Sequence, residues 1–194
     1  MAIRQIRIWP DPALSEIAAP VTVFDQEIET LVTDMFETMY EASGVGLAAT
    51  QIAVPLRVLI IDLDPSNESE SEPELKEELE SMGFSGPQEF INPQILDASG
   101  QIEWEEGCLS GPGFTEMVSR EQDIRVKAFN RSGEEFTVEC TGLYSVALQH
   151  EIDHLDGKVF VEYLSKLKRD VVKRKMNRLK QGGTTDGVEA AAAL

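Results

Sequence analysis

The stretch QHEIDHLDG, residues 149–157, contains both histidines of a 194-residue chain. Set four apart on a helix, His150 and His154 project from one face, a turn apart. Two imidazole nitrogens at that separation reach a single cation at bond lengths of about 2 Å. Glu151 lies about a hundred degrees round the helix from His150. It can stand beside such an ion without ligating it, where a general base for a water belongs. This H-E-x-x-H pattern makes a metal site the leading reading of the chain. The competing reading, incidental histidines on a solvated helix face, requires two rare residues to fall four apart by chance.

Two ligands do not complete a site. No histidine follows His154, and the nearest downstream carboxylates are Asp156 and Glu162. Upstream, IEWEEGCLSGP at 102–112 offers Cys108, which follows a glycine in a turn-like context. A thiolate is a good ligand for zinc or ferrous iron. Cys108 with His150 and His154 would leave a fourth position for water, as a hydrolytic site requires. On spacing alone, Cys108 is such a ligand or a buried inert thiol, and an endoprotease using a downstream carboxylate stays open.

The remaining pattern gives α+β as the fold class, because helices and antiparallel strands do not alternate as βαβ units. Residues 25–42 place Ile28, Leu31, Val32, Met35, Phe36 and Met39 at helical spacing, with Asp25 as N-cap and Gly44 as stop. Strands are expected at 57–62, 90–96, 101–105 and 123–129, the last joined through NRSG to 134–140 as a hairpin. A helix from Gly142 through His154 carries the motif, KVFVEY at 158–163 reads as a strand, and 165–181 as a basic helix. Cys140 reads as core. Residues 1–181 are taken as one domain. The tail 182–194 is expected to be disordered and to end in a vector-like AAAL.

Charge is unevenly placed. The formal net charge is −18, and 64–89 holds nine acids against Lys76, reading as a solvated acidic insertion with a short helix near 73–81. Residues 166–180 hold eight basic side chains against Asp170. Such acidity disfavours DNA in general, and no apolar run is long enough to span a bilayer. With no secretory signal visible, a cytoplasmic protein with unpaired cysteines is expected.

GVGLAATQ at 44–51, EGCLS at 106–110 and QHEIDHLDG at 149–157, in that order, resemble peptide deformylase. The resemblance covers most of the chain. It implies removal of the formyl group from the N-terminal formyl-methionine of nascent polypeptides. By resemblance, Cys108, His150 and His154 hold one ion, natively Fe2+, with Ni2+, Co2+ or Zn2+ able to substitute. Glu151 is implied as the acid–base residue, and the Gln51 side-chain amide and the Leu109 backbone N–H as oxyanion donors. Gly46 is implied beside the peptide backbone, and Val45, Leu143 and Val146 around the methionine side chain. Small residues in GVGLAATQ suit a peptide added like a strand. Trp104 and Gly111-Pro112-Gly113 depart from the family pattern, so a deformylase-like protein with an altered cleft and weak turnover is the alternative. Bacterial deformylases with a C-terminal helix dock it on the ribosome, which implies a salt-sensitive ribosome contact for 165–181.

Overall fold

Asp25 starts the first helix, α1 (Gln26–Glu41), by accepting hydrogen bonds from the backbone N–H groups of Glu27 and Ile28. Its buried stripe is Ile28, Leu31, Val32, Met35 and Met39. The residue that turns the chain out of α1 is Ser43, at φ 55°, rather than Gly44. Gly44 has a different duty, since a Cβ there would lie 2.7 Å from the Leu109 side chain.

The computed structural model describes residues 2–70 and 72–180. The expected disordered tail at 182–194 lies outside them. Among the described residues, strands β1 (Gly46–Ala48), β2 (Val58–Ile61), β3 (Gln88–Ser99), β6 (Asp123–Phe129) and β7 (Glu135–Thr141) form one antiparallel sheet in the order β1-β2-β3-β6-β7. A separate hairpin pairs β4 (Ile102–Glu106) with β5 (Glu116–Arg120). The remaining helices are α2 (Pro73–Ser81), α3 (Gly142–Leu155) and α4 (Lys166–Lys180). The class is α+β, as expected.

Both faces of the sheet are covered, which explains the unbroken apolar run VLII in β2. Val58 and Ile60 pack with α1, whereas Leu59 and Ile61 point into the core shared with Tyr144, Ala147, Leu148 and Ile152 of α3. From Tyr144 to Ile152 every residue of α3 is buried, so the motif helix runs through the interior. Gly157 ends it at φ 73°, where the backbone passes so close to Ser15 that a Cβ would lie 2.8 Å from its carbonyl oxygen.

Three features differ from the sequence pattern. KVFVEY contains a 3-10 helix, Phe160–Tyr163, where a strand was expected. Val159, Phe160 and Val161 are all buried, in one core with Cys108, Val172 and Met176. A short apolar run fits either period, and packing without a strand neighbour decided it. The strand β5 was missed, because only Val118 and Arg120 of EMVSR are buried and the alternation is short. The acidic stretch 64–89, expected to be solvated, is so only in part: α2 falls at 73–81 as anticipated, but Leu79 and Phe84 are buried in the core against Tyr144 and Leu148.

Candidate active site

The loop joining β4 to β5 delivers Cys108 to the face of α3 that carries His150 and His154. A tight turn shapes the loop, with the Gly111 N–H donating to the Cys108 carbonyl at 2.9 Å and the Ser110 N–H approaching Sγ at 3.4 Å. The Cys108 sulfur, His150 and His154 offer ligand atoms within 4.8 Å of one another, and all three residues are buried. Cys108 Sγ lies 3.2 Å from His154 Nε2. His150 Nε2 is buried with no hydrogen-bond partner among the described residues. A buried unpartnered nitrogen is costly, and here it sits where a cation with bonds of about 2 Å would satisfy it. The donor set of one sulfur and two imidazoles suits a transition metal.

His150 is held from behind. Its Nδ1 lies 2.7 Å from Glu106 Oε2, which fixes the ring with Nε2 toward the sulfur. Arg120 forks onto both oxygens of Glu106, at 2.6 Å from Nε and 3.0 Å from Nη2. Burial opposes the Glu106 charge, but Arg120 and His150 outweigh it and hold the carboxyl below its ordinary range. Burial likewise disfavours a charged His150, yet Cys108 and Glu106 carry its pKa well above the usual value. Burial and the His150 charge push His154 well below it. The two imidazoles are thus pushed apart, His150 toward the charged form and His154 toward the neutral one. Neither Glu106 nor Arg120 was assigned a duty from sequence; the available signal was that Glu106 opens the EGCLS stretch itself.

Glu151 lies against β1. Both its carboxylate oxygens are buried without a hydrogen-bond partner among the described residues, and a Cβ at Gly46 would lie 2.6 Å from Oε1. Burial is the main cause that pushes its carboxyl up to about 7, with Glu106 adding to the rise and His150 opposing it.

Gln51 sits in a 3-10 turn, Ala49–Ile52, directly after β1. Its Oε1 accepts the Ala48 N–H at 2.7 Å, so the amide Nε2 is turned toward Ser110 Oγ at 3.2 Å and Cys108 Sγ at 3.6 Å. The Leu109 N–H donates to no group among the described residues. Gly46 belongs to β1, an outer strand of the sheet with one side unpaired within it. Val45 is half-buried just before it, and its carbonyl accepts from the Asp62 N–H. Val146 is fully buried and Leu143 half-buried, four and seven residues before His150 on α3, spacings that put them on the His150 face. Of the two downstream carboxylates, Asp156 is bound to Arg57 at 2.8 Å and Glu162 is exposed. Neither joins the cluster, which removes the basis for the endoprotease reading. Gly111 leaves ordinary room, with a Cβ there 3.4 Å from the Phe160 ring.

The family model described as polypeptide deformylase matches residues 3–170. A peptide deformylase from Alkalilimnicola ehrlichii is 47% identical over 194 residues, the whole of both chains. The crystal structure of a peptide deformylase from Legionella pneumophila is similar at a TM-score of 0.81 and 43% identity, covering 93% of this chain and 96% of that one. That of the Ehrlichia chaffeensis peptide deformylase in complex with actinonin is similar at 0.82 and 39%, covering 93% and 99%. The chain belongs to the polypeptide deformylase family.

Proposed function

We propose that this deformylase removes the formyl group from the N-terminal formyl-methionine of nascent polypeptides, using Cys108, His150 and His154 to hold one ion, natively Fe2+. The convergence of these three ligand atoms within 4.8 Å carries the reading. Thiolate and imidazole suit ferrous iron, and also zinc, nickel and cobalt. When bound, the ion supplies Lewis acidity, polarising a carbonyl oxygen and lowering the pKa of a water.

The chain's own groups do the rest. Glu151 takes a proton from the attacking water and returns it to the departing amine, so that the C–N bond breaks to give formate and a free N-terminus. Nε2 of Gln51 and the N–H of Leu109 donate to the negative charge that develops on the formyl oxygen. The Gln51 amide is pre-set for this task by its bond to the Ala48 N–H. The unpaired side of β1 at Gly46 takes the peptide backbone as an added strand, and Val45, Leu143 and Val146 line the site of the methionine side chain.

The basic helix α4 extends the reading to a ribosome contact. Val172 and Met176 anchor α4 in the core, while Lys166, Lys168, Lys173, Arg174 and Arg178 are exposed. A cationic face on an acidic chain suits a polyanionic surface and a salt-sensitive association, in the cytoplasm, where nascent chains emerge. Because the anchors belong to the Cys108 core, charge reversal tests this better than deletion. Lys173→Glu with Arg174→Glu and Arg178→Glu should weaken ribosome co-sedimentation and spare turnover of a small formyl-Met peptide. Unchanged co-sedimentation would remove the docking idea.

Turnover of formyl-Met-Ala-Ser by anaerobic, iron-loaded protein tests the main reading. Formate release is expected from the wild-type chain and not from Glu151→Ala. Turnover that survives in that variant contradicts the assignment of the base.

A further inference from the structure

A line of contacts runs from solvent to the candidate metal ligand His150, with Lys158 Nζ standing beside it at 3.9 Å from Asp153 Oδ1. At its outer end Tyr163, 53% exposed, donates its hydroxyl to Asp153 Oδ2 at 2.7 Å. The same Asp153 oxygen accepts Arg120 Nη1 at 2.5 Å, and the Arg120 guanidinium carbon lies 5.1 Å from the centre of the Tyr163 ring. Arg120 then grips Glu106, and Glu106 grips His150 Nδ1. Side-chain exposure falls along the line, from 14% at Asp153 through 6% at Arg120 to 0% at Glu106.

We propose that Tyr163 and Asp153 are positioning residues for the metal centre, setting how firmly the His150 ring is held toward the ion; the inference rests on the metal reading above. Arg120 has donors on two sides. If nothing held Nη1, the guanidinium could tilt away from Glu106 toward water, and the Glu106 oxygen facing His150 would lose its fixed direction. Asp153 supplies that hold with a charge-assisted bond. Tyr163 braces it twice, through its hydroxyl on the shared oxygen and through its ring against the cation. Asp153 sits between the two histidines on α3, so one residue of the motif aims the hydrogen-bond chain that orients another. The exposed position of Tyr163 also places this brace where the chain passes from the 3-10 helix Phe160–Tyr163 toward α4.

The test uses the full chain, stripped of metal and reloaded with Co2+ against a competing chelator, with thermal unfolding of the metal-free protein measured in parallel. Co2+ affinity should fall in both Tyr163→Phe and Asp153→Asn, more in Asp153→Asn, and in each by less than the about 10- to 100-fold loss that follows removal of a group bonded directly to a metal ligand. Tyr163→Leu, which removes the ring as well, should lose more than Tyr163→Phe. The metal-free unfolding temperature of Tyr163→Phe should stay at the wild-type value. Wild-type Co2+ affinity in both Tyr163 variants, or affinity lost only in step with metal-free stability, overturns the positioning role. Failure of the wild-type chain itself to bind Co2+ would instead sink the metal reading on which it rests.

Discussion

Glu151 and Gly46 are so close that any side chain at position 46 would collide with the carboxylate, its Cβ lying 2.6 Å from Oε1. The proposed base and the strand edge proposed to receive the peptide are therefore set by one contact. Gly46→Ala must displace either the Glu151 carboxylate or β1. A shift of about 1 Å at a reacting group costs about 100-fold, and kcat/KM for a formyl-Met peptide is expected to fall by that order. Steady-state kinetics on metal-saturated protein checks it, with retained Co2+ binding showing that the ligands are intact.

Glu106 bridges His150 and Arg120. Glu106→Gln keeps the shape but removes the charge that orients the imidazole and leaves Arg120 without its main partner. Metal affinity is expected to fall about 10- to 100-fold, read by chelator competition.

Packing beneath the site gives a stability prediction. Phe160 stacks on Phe114 at 6.0 Å between ring centres and lies 6.1 Å from the His150 ring. Phe160→Ala should destabilise the chain by about 3–5 kcal/mol, measured by denaturant unfolding of the metal-free protein.

A pH effect follows from Glu89, whose two oxygens receive Arg131 Nε at 2.9 Å and Nη2 at 3.0 Å. Burial opposes its charge, but the Arg131 bonds hold the carboxyl below its ordinary 4.5. Because the folded value is depressed, the pair's contribution is fully present above about pH 4.5 and is lost as pH falls through the folded value. Glu89→Gln should lower stability at pH 7 and flatten the decline in acid, which denaturant midpoints at several pH values will show.

Much of this was legible in the residues because local rules and the fold agreed. Asp25 capped a helix with a clean apolar stripe, and the α2 and β6–β7 segments fell where their patterns placed them. The motif histidines were legible because a four-residue spacing has one meaning on a helix. What pattern reading missed is what depends on distant partners. KVFVEY holds a short apolar run that fits a strand or a helix, and its fate was decided by the core it fills with Val172 and Met176. Gly44 looked like a helix stop, but the left-handed residue is Ser43, and the glycine is needed for Leu109. Glu106 and Asp153 lie inside the EGCLS and QHEIDHLDG stretches and Arg120 and Tyr163 outside them, and only folding reveals that the four form one line.

X-ray absorption on iron-loaded protein tests the central claim most directly. One sulfur and two imidazole nitrogens in the first coordination shell, with the sulfur signal lost in Cys108→Ser, is the expected result. A wild-type spectrum from bound metal with no sulfur ligand would contradict it.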